Sequence, residues 1–236
     1  MQRREFLVLS AASVGGVLVY TLDRRMTRVS AQSGASAPPA ADSLQNIRVQ
    51  LRFFTQAEAL IVAAAAARIF PSDESGPGAN EAGVVIYIDR QLAGPRGRDA
   101  HRYTQGPFEE SGAPPEVGYQ GQATLGEVYR DGLKQLAGFD QLSPADQDQK
   151  LKQIEDTHFF AVLRKNTIEG MFSDPLHGGN IDMVGWQLIG FPGPQMSWAA
   201  DVGKHSGQAF RPKPMSLSDV LPGHKFHPSE EEGTKS

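Results

Sequence analysis

Cysteine is missing from all 236 residues. That excludes a disulfide framework, a cysteine-ligated iron–sulfur cluster, a zinc ribbon and a covalently attached c-type haem. An excess of basic charge is also lacking. Lys and Arg number 23 against 27 Asp and Glu, a net charge of −4, and no basic stretch is interleaved with aromatic residues. The electrostatic footprint of a nucleic-acid binder is therefore absent. The chain has no glycine-rich dinucleotide fingerprint, no phosphate loop, no Gly-x-Ser-x-Gly elbow and no His-Glu-x-x-His pair. These gaps remove the common sequence signatures of cofactor-binding and nucleophilic enzymes.

What is present begins with Arg3-Arg4, followed by Phe6-Leu7 and an uncharged, small-residue-rich stretch over residues 6–22. A basic start, an apolar middle and a small-residue cleavage zone together read as a secretory signal. The arginine pair with Phe6 and Leu7 behind it resembles the twin-arginine export motif, with Gln2 where Ser or Thr is usual. Arg24, Arg25 and Arg28 follow the apolar stretch, which suits export of folded protein. Val29-Ser30-Ala31 and Ala35-Ser36-Ala37 both fit cleavage sites, and a moderately apolar, uncharged stretch of 17 residues also leaves an uncleaved anchor open. A buried N-terminal helix is the bland alternative. Cleavage after Ala31 would remove five arginines and two acidic residues, taking the net charge from −4 to −7.

Residues 32–52 read as a linker, with a short leading strand as an option for its second half. Thr55 and Glu58 have capping-box spacing and Phe54 is placed to staple the first turn, which predicts a helix over 56–70. Leu60, Ile61, Ala64 and Ile69 are expected on its buried side, and five consecutive alanines suggest a tightly packed neighbour. Residues 84–92 are β-rich by propensity but helical by the spacing of Val84, Ile88 and Leu92; length favours helix. A Gly/Pro-rich connection over 94–122 is long enough to suggest a binding surface. Thr124/Glu127 and Ser143-Pro144 open two more helices, and a fifth pattern spans 157–173 with Phe160, Leu163, Thr167 and Met171 in one stripe. A short helical piece is expected over 181–189.

The expected fold is all-α: an irregular helical domain over 53–198 with long Gly/Pro-rich loops, an N-terminal signal helix over 1–31 and an extended polar tail over 199–236.

Candidate functional residues are few. His177 beside Gly178-Gly179-Asn180 is the most site-like histidine, although a tight turn explains it equally. His224 and His227 have a spacing open to a metal, which with His177 would make a stand-alone periplasmic metal-binding protein or enzyme. On a Pro-rich tail they read more simply as solvated side chains, so no metal site is assigned. Asp73-Glu74 and Glu109-Glu110 lie in loops without apolar flanks and read as solvated charges. Tyr103, Phe108 and Tyr119 in the long connection, and Trp186, Phe191 and Trp198 beside glycine turns, suit a protein interface or core packing. With His177 and Asn180 they form the partner-binding set; no catalytic residue is assigned.

Several blocks now stand in order. They include Ile69-Phe70-Pro71-Ser72-Asp73, Gly76-Pro77-Gly78-Ala79, Tyr87-Ile88-Asp89-Arg90-Gln91-Leu92 and Tyr103-x-x-Gly106-Pro107-Phe108. Thr167-x-Glu169-Gly170-Met171-Phe172-x-Asp174-Pro175 and Gly178-Gly179-Asn180-x-Asp182-Met183-Val184-Gly185-Trp186 follow, leading into Gly190-Phe191-Pro192-Gly193. Together they resemble the gluconate 2-dehydrogenase subunit 3 family over roughly residues 53–198. This is the small subunit of membrane-associated, FAD-dependent sugar and polyol dehydrogenases. The resemblance implies an accessory chain carrying the export signal for a large flavoprotein of the glucose-methanol-choline type. FAD would reside in that partner, a cytochrome c subunit would take the electrons onward, and the complex would be periplasmic.

Overall fold

The computed structural model describes residues 50–220, apart from 103–104, 110–117, 196, 200, 206, 208–209 and 211. Every described residue belongs to one compact unit, Ser43–Ser236. Arg3, Arg4, Phe6, Leu7 and the rest of the signal, the linker as far as residue 49, Tyr103, His224 and His227 lie outside the described residues.

The body is helical, as its sequence predicts. Helix α1 spans Gln56–Ile69. Its N-terminus is a full capping box: Thr55 Oγ1 accepts from the Glu58 amide, while Glu58 Oε2 accepts from the Thr55 amide at 2.8 Å. Such a cap satisfies amides that the first turn leaves without partners. The helix stops at Phe70, because Pro71 has no amide hydrogen to continue the ladder. Its buried face is not the expected one. Ala59, Val62, Ala63, Ala65, Ala66 and Ile69 are buried, whereas Leu60, Ile61 and Ala64 are only half-buried. Close approach decided the phase here, because α1 touches four other helices and small side chains let them all come near.

Helix α2, Val84–Ala93, resolves the strand-or-helix ambiguity in favour of helix. Every residue from 82 to 89 is buried, so no polar face was available to reveal its period. It starts from Gly83 in the left-handed region (φ 65°), where an added Cβ would lie 2.4 Å from the Ile181 side chain. Helix α3, Leu125–Gln135, repeats the capping box with Thr124 and Glu127. Helix α4, Pro144–Gln153, has Ser143 as its cap and proline in its first turn. Helix α5, His158–Phe172, is capped by Thr157 and packs against α1, α2 and α3. Within its expected stripe Leu163, Thr167 and Met171 are buried, but Phe160 is half-exposed and Phe159 takes the inner position. The Tyr129 ring meets Phe159 edge-on at 5.5 Å and Phe54 at 6.0 Å, which joins α1, α3 and α5 in one core.

The C-terminal third is less regular. Helix α6 covers only Val184–Ile189, because Asn180, Asp182 and Met183 all adopt left-handed backbone ahead of it. The expected helical piece over 181–189 is thus half turn and half helix. Asn180 holds the turn: its Nδ2 donates to Ser173 O at 2.9 Å and its Oδ1 accepts from the Gly185 amide at 2.8 Å. Gly185 is required there, since a Cβ would lie 1.9 Å from Met171 O. Part of the expected tail is tied to this region. The Met215 amide donates to Pro192 O at 3.1 Å, and the Leu217 amide opening α7 (Leu217–Val220) donates to Asp174 Oδ2 at 2.8 Å. Among the described residues no helix is long and apolar enough to cross a membrane.

Candidate functional site

Two polar constructions organise the body. The first is Asp89 on α2, 1% exposed, whose carboxylate accepts from three successive amides. Oδ2 takes Arg52 N–H at 2.7 Å, and Oδ1 takes Phe53 and Phe54 N–H at 3.0 and 2.8 Å. This anchorage pins the chain just ahead of α1. Arg130 completes the corner, donating to Phe53 O at 2.7 Å, lying 4.2 Å from the Phe53 ring and pairing with Glu58. Burial raises the Glu58 pKa, but hydrogen bonds from Arg130 and Thr55 outweigh it, and the carboxyl ends below its usual range.

The second is a chain of polar groups between α2 and α5. Arg96 makes a two-pronged pair with Glu169, at 2.8 and 3.1 Å, and also donates to Asn166 Oδ1 at 3.3 Å. Tyr87 donates to Glu169 at 3.2 Å, and Asn166 Nδ2 donates to the Tyr129 hydroxyl at 2.9 Å. Burial and the Glu169 carboxylate push the Tyr87 hydroxyl up to about 12, and burial likewise raises Tyr129. Neither phenol ionises at neutral pH, so both act as hydrogen-bonding core residues.

Beside this chain lies a cleft of about 180 Å³. Tyr119 and His158 stack face to face along one side, with ring centres 3.9 Å apart. Arg102 supports the stack from 5.2 Å above Tyr119, bonding to Asp99 at 2.8 Å and to the carbonyls of Gly121 and Ala123. Partial desolvation of the ring and the neighbouring Arg102 charge lower the His158 pKa and favour the neutral imidazole, although the residue as a whole is exposed. Sequence reasoning missed this cleft apart from Tyr119, because its residues are scattered from 96 to 166.

The structure separates the other candidate residues. Phe108, Phe191 and Trp198 are exposed, at 40, 42 and 45%. His177 is exposed on a short turn, Pro175–His177. Asn180 and Trp186, by contrast, are buried in this chain. The Trp186 indole donates to Phe172 O at 2.7 Å and receives the edge of Phe191 at 5.1 Å, so it supports Phe191 from beneath. Trp198 meets Phe210 at 6.4 Å, and Phe210 stacks on His205. With Ile189, Val202 and Met215 also exposed, the stretch 189–215 carries most of the large apolar side chains left in solvent among the described residues. Phe210 and Met215 were missed because the tail's polar composition hid them. Asp73, Glu74 and Glu109 are exposed, as their loop positions suggest. Among the described residues no group of three or more His, Asp or Glu is placed to hold a metal ion.

No match was found among curated proteins or among solved structures. The chain does match the family described as Gluconate 2-dehydrogenase subunit 3 over residues 56–193, from the first turn of α1 to the glycine after Phe191 and Pro192. That span takes in α1 to α6, Asp89 itself, the cleft and the Asn180 turn, and covers more than half of the sequence. The chain therefore belongs to the gluconate 2-dehydrogenase subunit 3 family, a family of subunits of a dehydrogenase complex.

Proposed function

We propose that this chain is a non-catalytic small subunit that binds, matures and escorts the FAD-dependent large subunit of a sugar or polyol dehydrogenase through twin-arginine export. The observation that carries this reading is the family match over the helical body. The exposed rings of the 189–215 stretch support it, because aromatic anchors left in solvent are typical of protein interfaces. The flavin belongs to the partner in this reading. The complex works in the periplasm at the membrane, with a cytochrome c subunit as electron acceptor.

The escort role rests on Arg3 and Arg4. Replacing both with lysine should leave the flavoprotein and its activity in the cytoplasm, as read by fractionation and a dye-linked dehydrogenase assay. Normal periplasmic activity in that variant would refute the escort role.

A further inference from the structure

Among the described residues, the cleft between α3, α5 and the parts of the long connection around Arg96–Arg102 and Tyr119 has an unbalanced charge. Arg96 is matched by Glu169 and Arg102 by Asp99, each pair at 2.8 Å. The guanidinium of Arg102 also donates to two backbone carbonyls, those of Gly121 and Ala123. Lys165, the third cation lining the cleft, has no partner among the described residues. His158 favours its neutral form, which adds no charge. One positive charge is thus left over, set against two fixed guanidinium groups. Apolar and aromatic side chains complete much of the lining: the stacked Tyr119 and His158, with Leu125, Val128 and Val162.

From this geometry we infer that the cleft is a socket for one glutamate side chain of the partner protein, its carboxylate on Lys165 and its stem between the aromatic stack and the valines. Three properties select that occupant. The volume, about 180 Å³, is below that of a metabolite pocket and suits one inserted side chain. The single uncompensated cation matches a single negative charge. The apolar walls suit an aliphatic stem, which glutamate has and a free inorganic anion lacks. Arg96 and Arg102 are already immobilised by their own bonds, so little side-chain freedom is lost on docking. The inference rests on the accessory-subunit reading, since it names where the flavoprotein is held.

The test uses full-length chain and the flavoprotein that co-purifies with it from membranes. Affinity is measured at low and high salt for wild type, Lys165→Gln, Lys165→Arg and Val162→Phe. Lys165 is exposed, so its variants keep the fold, which circular dichroism checks. Lys165→Gln should bind about tenfold more weakly at low salt, with the gap closing at high salt as screening removes the charge pair. Lys165→Arg should stay near wild type. Val162→Phe fills the cleft and should weaken binding at both salts. Wild-type affinity in Lys165→Gln at every salt overturns the socket while leaving the accessory role standing. Tight binding of free glutarate to the isolated chain, lost in Lys165→Gln, overturns it in favour of a small-molecule site. Failure of wild type to retain any flavoprotein overturns the accessory reading itself.

Discussion

At the scale of single residues, Asp89 does the most with the least exposure. Three amides converge on a carboxylate that is 1% exposed, and each bond is strengthened by the charge. Asp89→Asn keeps the shape but turns one acceptor oxygen into a donor facing an amide. The expected cost is about 2 kcal/mol, or a fall of roughly 4–8 °C in Tm for a body of this size. A thermal melt checks it, and an unchanged Tm would show that the anchor contributes nothing net. Asp89 was visible in the sequence only as part of a family block. Its role was not, because its partners are backbone groups 35 to 37 positions upstream. Asn180 was hidden for a related reason: its left-handed backbone is held by Ser173 and Gly185, and nothing local to it demands that conformation.

Whole elements were far more legible than such residues. Both Thr-x-x-Glu caps formed as spaced, and Ser143 and Thr157 sit at the starts of α4 and α5, because a cap is a local hydrogen-bond arrangement that needs no tertiary partner. The rotation of α1 was not legible. Hydrophobicity favours turning Leu60 and Ile61 inward, whereas the fold turns Ala63 and Ala66 inward so that its neighbours can close on the helix. This gives a paired prediction for one helix. Ala66→Leu, at a site 1% exposed, should destabilise by about 1–3 kcal/mol through overpacking. Ala64→Leu, half-buried, should change stability by no more than about 0.5 kcal/mol. Urea denaturation of the two variants distinguishes them, and equal effects would mean the helix can rotate to relieve the strain. The cleft was illegible at this scale too, since α3, α5 and the long connection each supply only part of it.

For the molecule as a whole, acid is the natural challenge. Burial and Arg102 hold the folded His158 pKa below 6.5, so between those two values the unfolded chain binds a proton that the folded imidazole refuses. Stability is therefore full above about pH 6.5 and declines as the pH falls toward the folded value. Glu58 and Asp148 act in the same direction but lower on the scale. Arg68 donates to Asp148 at 2.7 and 2.6 Å and lowers its pKa, so the stability this carboxylate contributes fades only below its ordinary range. His158→Phe keeps a ring for Tyr119 to stack on and removes the titration. Its Tm should fall less than that of wild type between pH 7.5 and 5.5, and parallel curves would place the acid sensitivity elsewhere. The tie between Leu217 and Asp174 bears on time as well as on structure. A chain leaves the ribosome N-terminus first, and 43 residues separate the donor from its acceptor. At about 5–20 residues per second the Asp174 carboxylate waits roughly 2–9 s for that amide. Translation thus schedules the closure of the C-terminal turn region late, after α1 to α6 have all been made. An export route that admits only finished folds would find this latch among the last parts of the body to be fastened.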